Sequence, residues 1–153
     1  MRININKNFL VTLLLLPTLA HANLRPGIKP EIISNIFSKV KANTNWKEAI
    51  VTGESTQVVL MSISPQTNPE NEIGIDTNEC DLIVIVLEGN GKTHLNDKVS
   101  DIKENDMIFI PEGTAYNIIN VDKNKPLKLI CIFSETDVSP GTVLETKASI
   151  IKD

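Results

Sequence analysis

The chain has 153 residues, 15 Lys or Arg against 19 Asp or Glu, a net charge of −4, two cysteines and two histidines. That length suits one domain. An acidic chain without a basic cluster argues against partners such as nucleic acid or an anionic membrane surface, which are held by concentrated positive charge.

Met1 to Asn8 carries Arg2 and Lys7 and no acid, Phe9 to Leu19 (FLVTLLLLPTL) is almost wholly apolar, and Ala20-His21-Ala22 closes the run with small residues. A basic start, a short apolar run and an A-x-A end predict a secretory signal peptide over 1–22, cleaved after Ala22. A spanning helix needs about 20 apolar residues, and Pro17 interrupts a run already shorter than that. No cysteine follows it, so an N-terminal lipid anchor has no support. The expected product is periplasmic or extracellular, with no membrane attachment after cleavage. Loss of Arg2 and Lys7 leaves 13 of the 15 basic residues against 19 acids, a net charge of −6. Loss of His21 leaves His94 as the only imidazole, the commonest metal ligand and general base near neutral pH.

Residues 23–44 read as a lead-in followed by an amphipathic helix. Asn23 to Pro30 (NLRPGIKP) is punctuated by Pro and Gly. Glu31 to Ala42 places Ile32, Ile33, Ile36, Phe37 and Val40 at helical spacing, with Pro30 and Glu31 suited to a first turn. Such a helix would lie over the end of a barrel, or serve a homodimer contact.

After Trp46 the pattern becomes short strands. Gln57 to Ile63 (QVVLMSI) precedes a loop, Ser64 to Asn71. Leu82 to Leu87 (LIVIVL) ends at the turn Glu88-Gly89-Asn90-Gly91. Lys92 to Leu95 and Lys98 to Ile102 flank Asn96-Asp97, a tight hairpin. Met107 to Ile110, Tyr116 to Val121 and Leu127 to Phe133 complete the set. Short strands, Gly/Pro/Asn turns and a single amphipathic helix indicate an all-β barrel or sandwich.

Asn105 to Asn120, NDMIFIPEGTAYNIIN, carries Asn105, Pro111, Gly113, Tyr116 and Asn120 at the intervals of the motif G-x5-P-x-G-x2-H-x3-N. Gly89 closes LIVIVLEG, the end of an E-x6-G block. Both blocks, with NWKEAIVTGESTQVVLMSI, PLKLICIF and GTVLETKA around them, resemble the cupin superfamily, specifically its small single-domain bacterial members. The resemblance covers roughly Asn45 to Ala148 and implies an all-β small cupin β-barrel (jelly roll) with one N-terminal amphipathic helix. The cupin domain is then 45–148, with 149–153 a C-terminal tail.

In such a fold two imidazoles of an H-x-H pair share the barrel-facing side of a strand. With a carboxylate or amide and a later histidine they form a mixed N/O site for iron, manganese, nickel or zinc. Carried onto this chain, the carboxylate position falls on Leu82, the first two histidines fall on Asp76 and Asn78 (or Thr77), and the last falls on Tyr116. A further histidine that similar proteins carry in a GTVH phrase falls on Leu144. No imidazole occupies any motif position, so neither a metal nor another cofactor is expected. Tyr116 either fills vacated volume with its hydroxyl on an internal partner, or acts as an acid, as a tyrosine does in metal-free epimerases of the superfamily. In the strand Lys92 to Leu95, Thr93 and Leu95 share the inward face and His94 points outward.

Cys80 and Cys131 lie in a chain expected to leave the cytoplasm, where disulfides persist. The resemblance makes their strands neighbours, and both share inward parity with Leu82 or with Leu129 and Phe133. A Cys80–Cys131 disulfide and two buried thiols are both open; no C-x-x-C pattern suggests a redox pair.

The expected protein is an exported cupin with a degenerate, metal-free barrel cavity that binds a small molecule or is otherwise non-catalytic. Its expected wall is Asp76, Asn78, Leu82, Val84, Tyr116, Cys131 and Phe133. No catalytic residue is assigned, and the reading leans away from an enzyme. The alternatives are a metal-free isomerase or lyase using Tyr116 with a carboxylate such as Asp76, a divalent-metal enzyme with unusual ligands, or an assembly role through an outer sheet face.

Overall fold

A computed structural model describes residues 28–65 and 67–152, with the side chains of 150–152 left aside. The signal-peptide assignment to 1–22, and most of the lead-in, lie outside the described residues. The chain divides into units Met1–Pro30 and Glu31–Asp153. Residues 28–30 of the first carry no helix or strand; everything below concerns the second.

Ten strands follow one short helix: α1 (Ile36–Ala42), β1 (Lys47–Thr52), β2 (Gln57–Ile63), β3 (Asp76–Thr77), β4 (Leu82–Glu88), β5 (Asn90–Leu95), β6 (Lys98–Lys103), β7 (Met107–Ile110), β8 (Ala115–Asn120), β9 (Leu127–Phe133) and β10 (Val143–Leu144), before a 3-10 turn at Lys147–Lys152. They form a six-stranded sheet in the order β10-β1-β2-β9-β4-β7 and a four-stranded sheet in the order β3-β8-β5-β6. Every pairing is antiparallel. This is a two-sheet jelly-roll barrel, the all-β architecture expected.

The core lies between the sheets and follows the two-residue period of strands. Val59, Met61 and Ile63 of β2, Leu82, Val84 and Val86 of β4, Leu127, Leu129, Cys131 and Phe133 of β9 and Tyr116 and Ile118 of β8 all point inward and are buried. The continuous apolar run of β4 has a second cause. Strand alternation sends Leu87 to the outer face, where it joins Leu60, Ile130 and Val40 of α1 in a separate cluster, and a register irregularity between Val86 and Glu88 sets Glu88 opposite Lys128. The six-stranded sheet is thus apolar on both faces because α1 covers part of its outside.

The helix departs from expectation in length and in place. It begins at Ile36, after Asn35 in a left-handed conformation (φ 56°), and has no acidic residue in its first turn. The left-handed residue interrupts helical hydrogen bonding, so Ile32 stays outside the helix and is 93 % exposed. Val40 alone in the helix is fully buried. The helix packs on β4 and β9, over a sheet face rather than a barrel end.

Candidate functional site

The motif positions prove to be backbone devices. Asn105, where the motif has glycine, adopts φ 74°, Gly113 adopts φ 75° and Gly89 adopts φ 95°. Asn and Gly are the residues that tolerate this left-handed region. A side chain at Gly89 would also put Cβ 2.8 Å from the Pro126 carbonyl oxygen. Gly113 N–H donates to the Asn78 carbonyl at 3.0 Å, tying the β7–β8 turn to the segment after β3. Asn120 is buried and donates from Nδ2 to the carbonyls of Ile63, Ser64 and Lys125 at 3.0, 3.1 and 2.9 Å. Its Oδ1 accepts from Asp122 N–H at 2.9 Å. The amide therefore stitches three segments together, each of which would otherwise leave backbone groups unpaired.

With that frame in place, β3, β4, β8 and β9 bring most of the expected wall together. A cavity of about 80 Å³ is lined by Asp76, Leu82, Tyr116, Cys131 and Phe133, with Trp46, Lys47, Met61 and Ile73 completing it. Asp76 pairs directly with Tyr116 across β3 and β8. The Tyr116 hydroxyl donates to Asp76 Oδ2 at 3.4 Å and accepts from Asn78 Nδ2 at 3.3 Å. Two expected residues are not part of the wall. Asn78 meets the Tyr116 hydroxyl without bordering the cavity, and Val84, opposite Cys131, is packed into the core.

Trp46, Lys47, Met61 and Ile73 escaped the sequence reading. Lys47 Nζ pairs with Asp137 Oδ2 at 2.7 Å, both half-buried, and lies 6.0 Å from the Phe133 ring centre. Asp137 is held by Gln57, a fully buried amide. Its Oε1 accepts from the N–H groups of Asp137 and Val138 at 2.9 and 3.0 Å, and its Nε2 donates to the Val138 carbonyl at 2.7 Å. A strand starting with Lys and Glu has no apolar alternation to announce it, and Asp137 lies 90 residues from Lys47. The inward parity of Met61 in QVVLMSI was the one signal available.

The electrostatics keep protons on the wall. Burial, reinforced by the Asp76 carboxylate, pushes the Tyr116 phenol well above its ordinary range, against the lowering effect of the Asn78 hydrogen bond. Burial pushes the Cys131 thiol up to about 12, with Lys47 opposing and Asp137 adding to the rise. A metal needs deprotonated thiolate or phenolate, imidazole or carboxylate donors. Here Leu82 offers none, Tyr116 and Cys131 hold their protons, Asn78 is engaged, and Asp76 is one carboxylate. Among the described residues no three His, Cys, Asp or Glu side chains cluster as a metal site would require. The donor set does not fit a resident transition metal.

Both cysteines are free thiols, which corrects the disulfide alternative. Cys131 stands opposite Val84 in the β4–β9 register. Cys80 lies in the bend before β4, outside the strand register, and packs partly buried against the core. His94 is half-buried on the outer face of β5, opposite Val99 and Asn117, with Thr93 beside it facing inward. Its neighbour Leu95 pairs with Tyr116, but His94 itself faces away from the cavity and does not line it.

The two-sheet barrel, with its left-handed Asn105, Gly113 and Gly89 and its buried Asn120, defines a jelly-roll protein with a small cavity bordered by a phenol–carboxylate pair. Residues 59–133 match the model of the cupin domain. The chain is 35 % identical over 129 residues to the uncharacterized protein YrkC of Bacillus subtilis, covering 82 % of this chain and 68 % of that one. It is 31 % identical over 115 residues to the uncharacterized protein L612 of Acanthamoeba polyphaga mimivirus, covering 72 % and 69 %. The crystal structure of BH2720 from Bacillus halodurans superposes with a TM-score of 0.75 at 31 % identity, covering 84 % of this chain and 98 % of that one. The chain belongs to the cupin family.

Proposed function

We propose that this cupin is an exported, metal-free protein whose barrel cavity binds a small organic molecule. The observation that carries the reading is the cavity wall. Apolar Met61, Leu82 and Phe133 meet one polar end made by Asp76 and Tyr116, where a metal-binding cupin would need ionised or imidazole donors. The cavity's about 80 Å³ is the liquid volume of two or three waters. It therefore suits a compact ligand of a few non-hydrogen atoms, oriented by hydrogen bonds to the Asp76–Tyr116 pair.

The raised phenol and thiol pKa values support binding over proton transfer, because neither group ionises near neutral pH. The 3.4 Å contact from Tyr116 to Asp76 is what favours the second reading, a metal-free isomerase or lyase. There the phenol would give its proton to the substrate, a step its high pKa opposes. Export rests on the pattern of residues 1–22 alone.

A thermal-shift screen of small neutral compounds tests the binding reading. A true ligand raises Tm in step with its concentration, and the shift disappears in Cys131→Met, which fills the cavity. A shift that persists in the filled variant would place the ligand elsewhere and sink this reading.

A further inference from the structure

A second recess, which shares only Trp46 with the cavity, lies between the ends of β2 and β9 and the segment following β10. Its volume is about 580 Å³, and its walls include Trp46, Ser62, Pro65, Pro126, Lys128 and Lys147. That volume falls among ordinary small-molecule sites.

Lys128 faces outward from β9, as strand parity requires, yet it is only 5 % exposed. Its ammonium donates to the Asn43 carbonyl and to Ser62 Oγ, the latter at 3.0 Å. Across the recess the Lys147 ammonium donates to the Pro69 and Glu72 carbonyls, each at 2.9 Å, and sits 5.8 Å from the Trp46 ring centre. An ammonium has three donors, and among the described residues each lysine uses two. Neither lies within ion-pair distance of a carboxylate; the ion pairs among the described residues are Lys41–Glu104, Lys47–Asp137 and Lys92–Asp101. Lys128 stands opposite Glu88 in the β4–β9 register and feels its charge, but the direct partners of both ammonium groups are neutral oxygens, which leaves room for an anion to stabilise the buried Lys128 further. Trp46, which borders both the recess and the cavity, has a buried Nε1–H without an acceptor among the described residues.

We propose that this recess binds an organic monocarboxylate, its oxygens taken by the ammonium groups of Lys128 and Lys147 and its apolar body seated against Pro65, Pro126 and Trp46. Glu70 and Glu145 also border the recess. Their charge opposes a multiply charged anion, which is why a single carboxylate fits better than a phosphate. Burial lowers the Lys128 pKa, with Glu88 opposite it on β4 opposing the fall, so affinity for the anion falls with rising pH earlier than an ordinary lysine would dictate.

Trp46 is the only tryptophan of the chain, so its fluorescence reads the recess directly. Benzoate titrated into the full chain at pH 7 should give a saturable change in emission. Benzamide, which has the same body without the charge, and sodium chloride at matched ionic strength should give none. Lys147→Met and Lys128→Met should each weaken benzoate roughly tenfold, the equivalent of one charge-assisted hydrogen bond. Lys147 is the less buried of the two and carries the test if Lys128→Met does not fold. Because Trp46 also borders the barrel cavity, Tyr116→Phe serves as the control and should leave the titration unchanged. Unaltered benzoate affinity in Lys147→Met, or an equal response to benzamide, overturns the proposal. Loss of the signal in Tyr116→Phe alone also overturns it, by assigning the binding to the cavity.

Discussion

Tyr116 keeps its hydroxyl between an amide and a carboxylate at 3.3 and 3.4 Å, both at the long end of hydrogen-bond geometry. Removing only the hydroxyl should therefore be mild. Tyr116→Phe is expected to cost no more than about 1.5 kcal/mol, whereas Tyr116→Ala empties core volume and should cost about 3–5 kcal/mol, both read from urea denaturation. Cys131 sets a pH dependence with a definite sign. Its thiol binds its proton more tightly folded, about 12, than its ordinary value of 9.0. Its contribution is therefore complete below pH 9.0 and is lost as pH climbs toward about 12. Stability against urea should fall over that alkaline window, and Cys131→Ala should show a shallower fall. Inward-facing Leu82 and Tyr116 were legible from the motif positions of the cupin resemblance, and Cys131 and Phe133 from strand parity. Lys47 and Asp137 were not, because their meeting depends on a loop anchored by a distant buried amide.

The elements β2, β7 and β9 occupy the ranges their apolar alternation marks out, while β3 and β10 have two residues each, too few to show any period. Helix α1 was overextended because helical spacing of isoleucines ignores the backbone at Asn35. The corrected bounds make a paired prediction. Val40→Ala should cost roughly 1–2 kcal/mol for two buried carbon groups, and Ile32→Ala should change nothing measurable, as chemical denaturation would show. Gln57 is the sharper case, since it holds three backbone groups of the segment after β9. Gln57→Leu keeps the volume but strands Asp137 N–H, Val138 N–H and the Val138 carbonyl. At about 1–3 kcal/mol for each buried group left unpaired, this substitution should be among the most destabilising in the chain. Hydrogen exchange should show the loss first in the backbone around Val138.

The whole molecule keeps a cupin frame with a different interior. Its frame residues act on the backbone, through positive φ at Asn105, Gly113 and Gly89 and through the buried Asn120 amide, so they persist whatever the cavity holds. The interior is where the family's metal chemistry would reside, and here its positions carry leucine, asparagine, a phenol and a single carboxylate, Asp76. If the N-terminal pattern acts as an export signal, the mature chain recovered from outside the cytoplasm begins at Asn23, which N-terminal sequencing would read. The metal content of that mature protein tests the central claim most directly. After incubation with iron, manganese, nickel and zinc and then dialysis, elemental analysis should find each far below one equivalent per chain. Any of them retained near one equivalent, and lost in Asp76→Ala, would contradict a metal-free cavity.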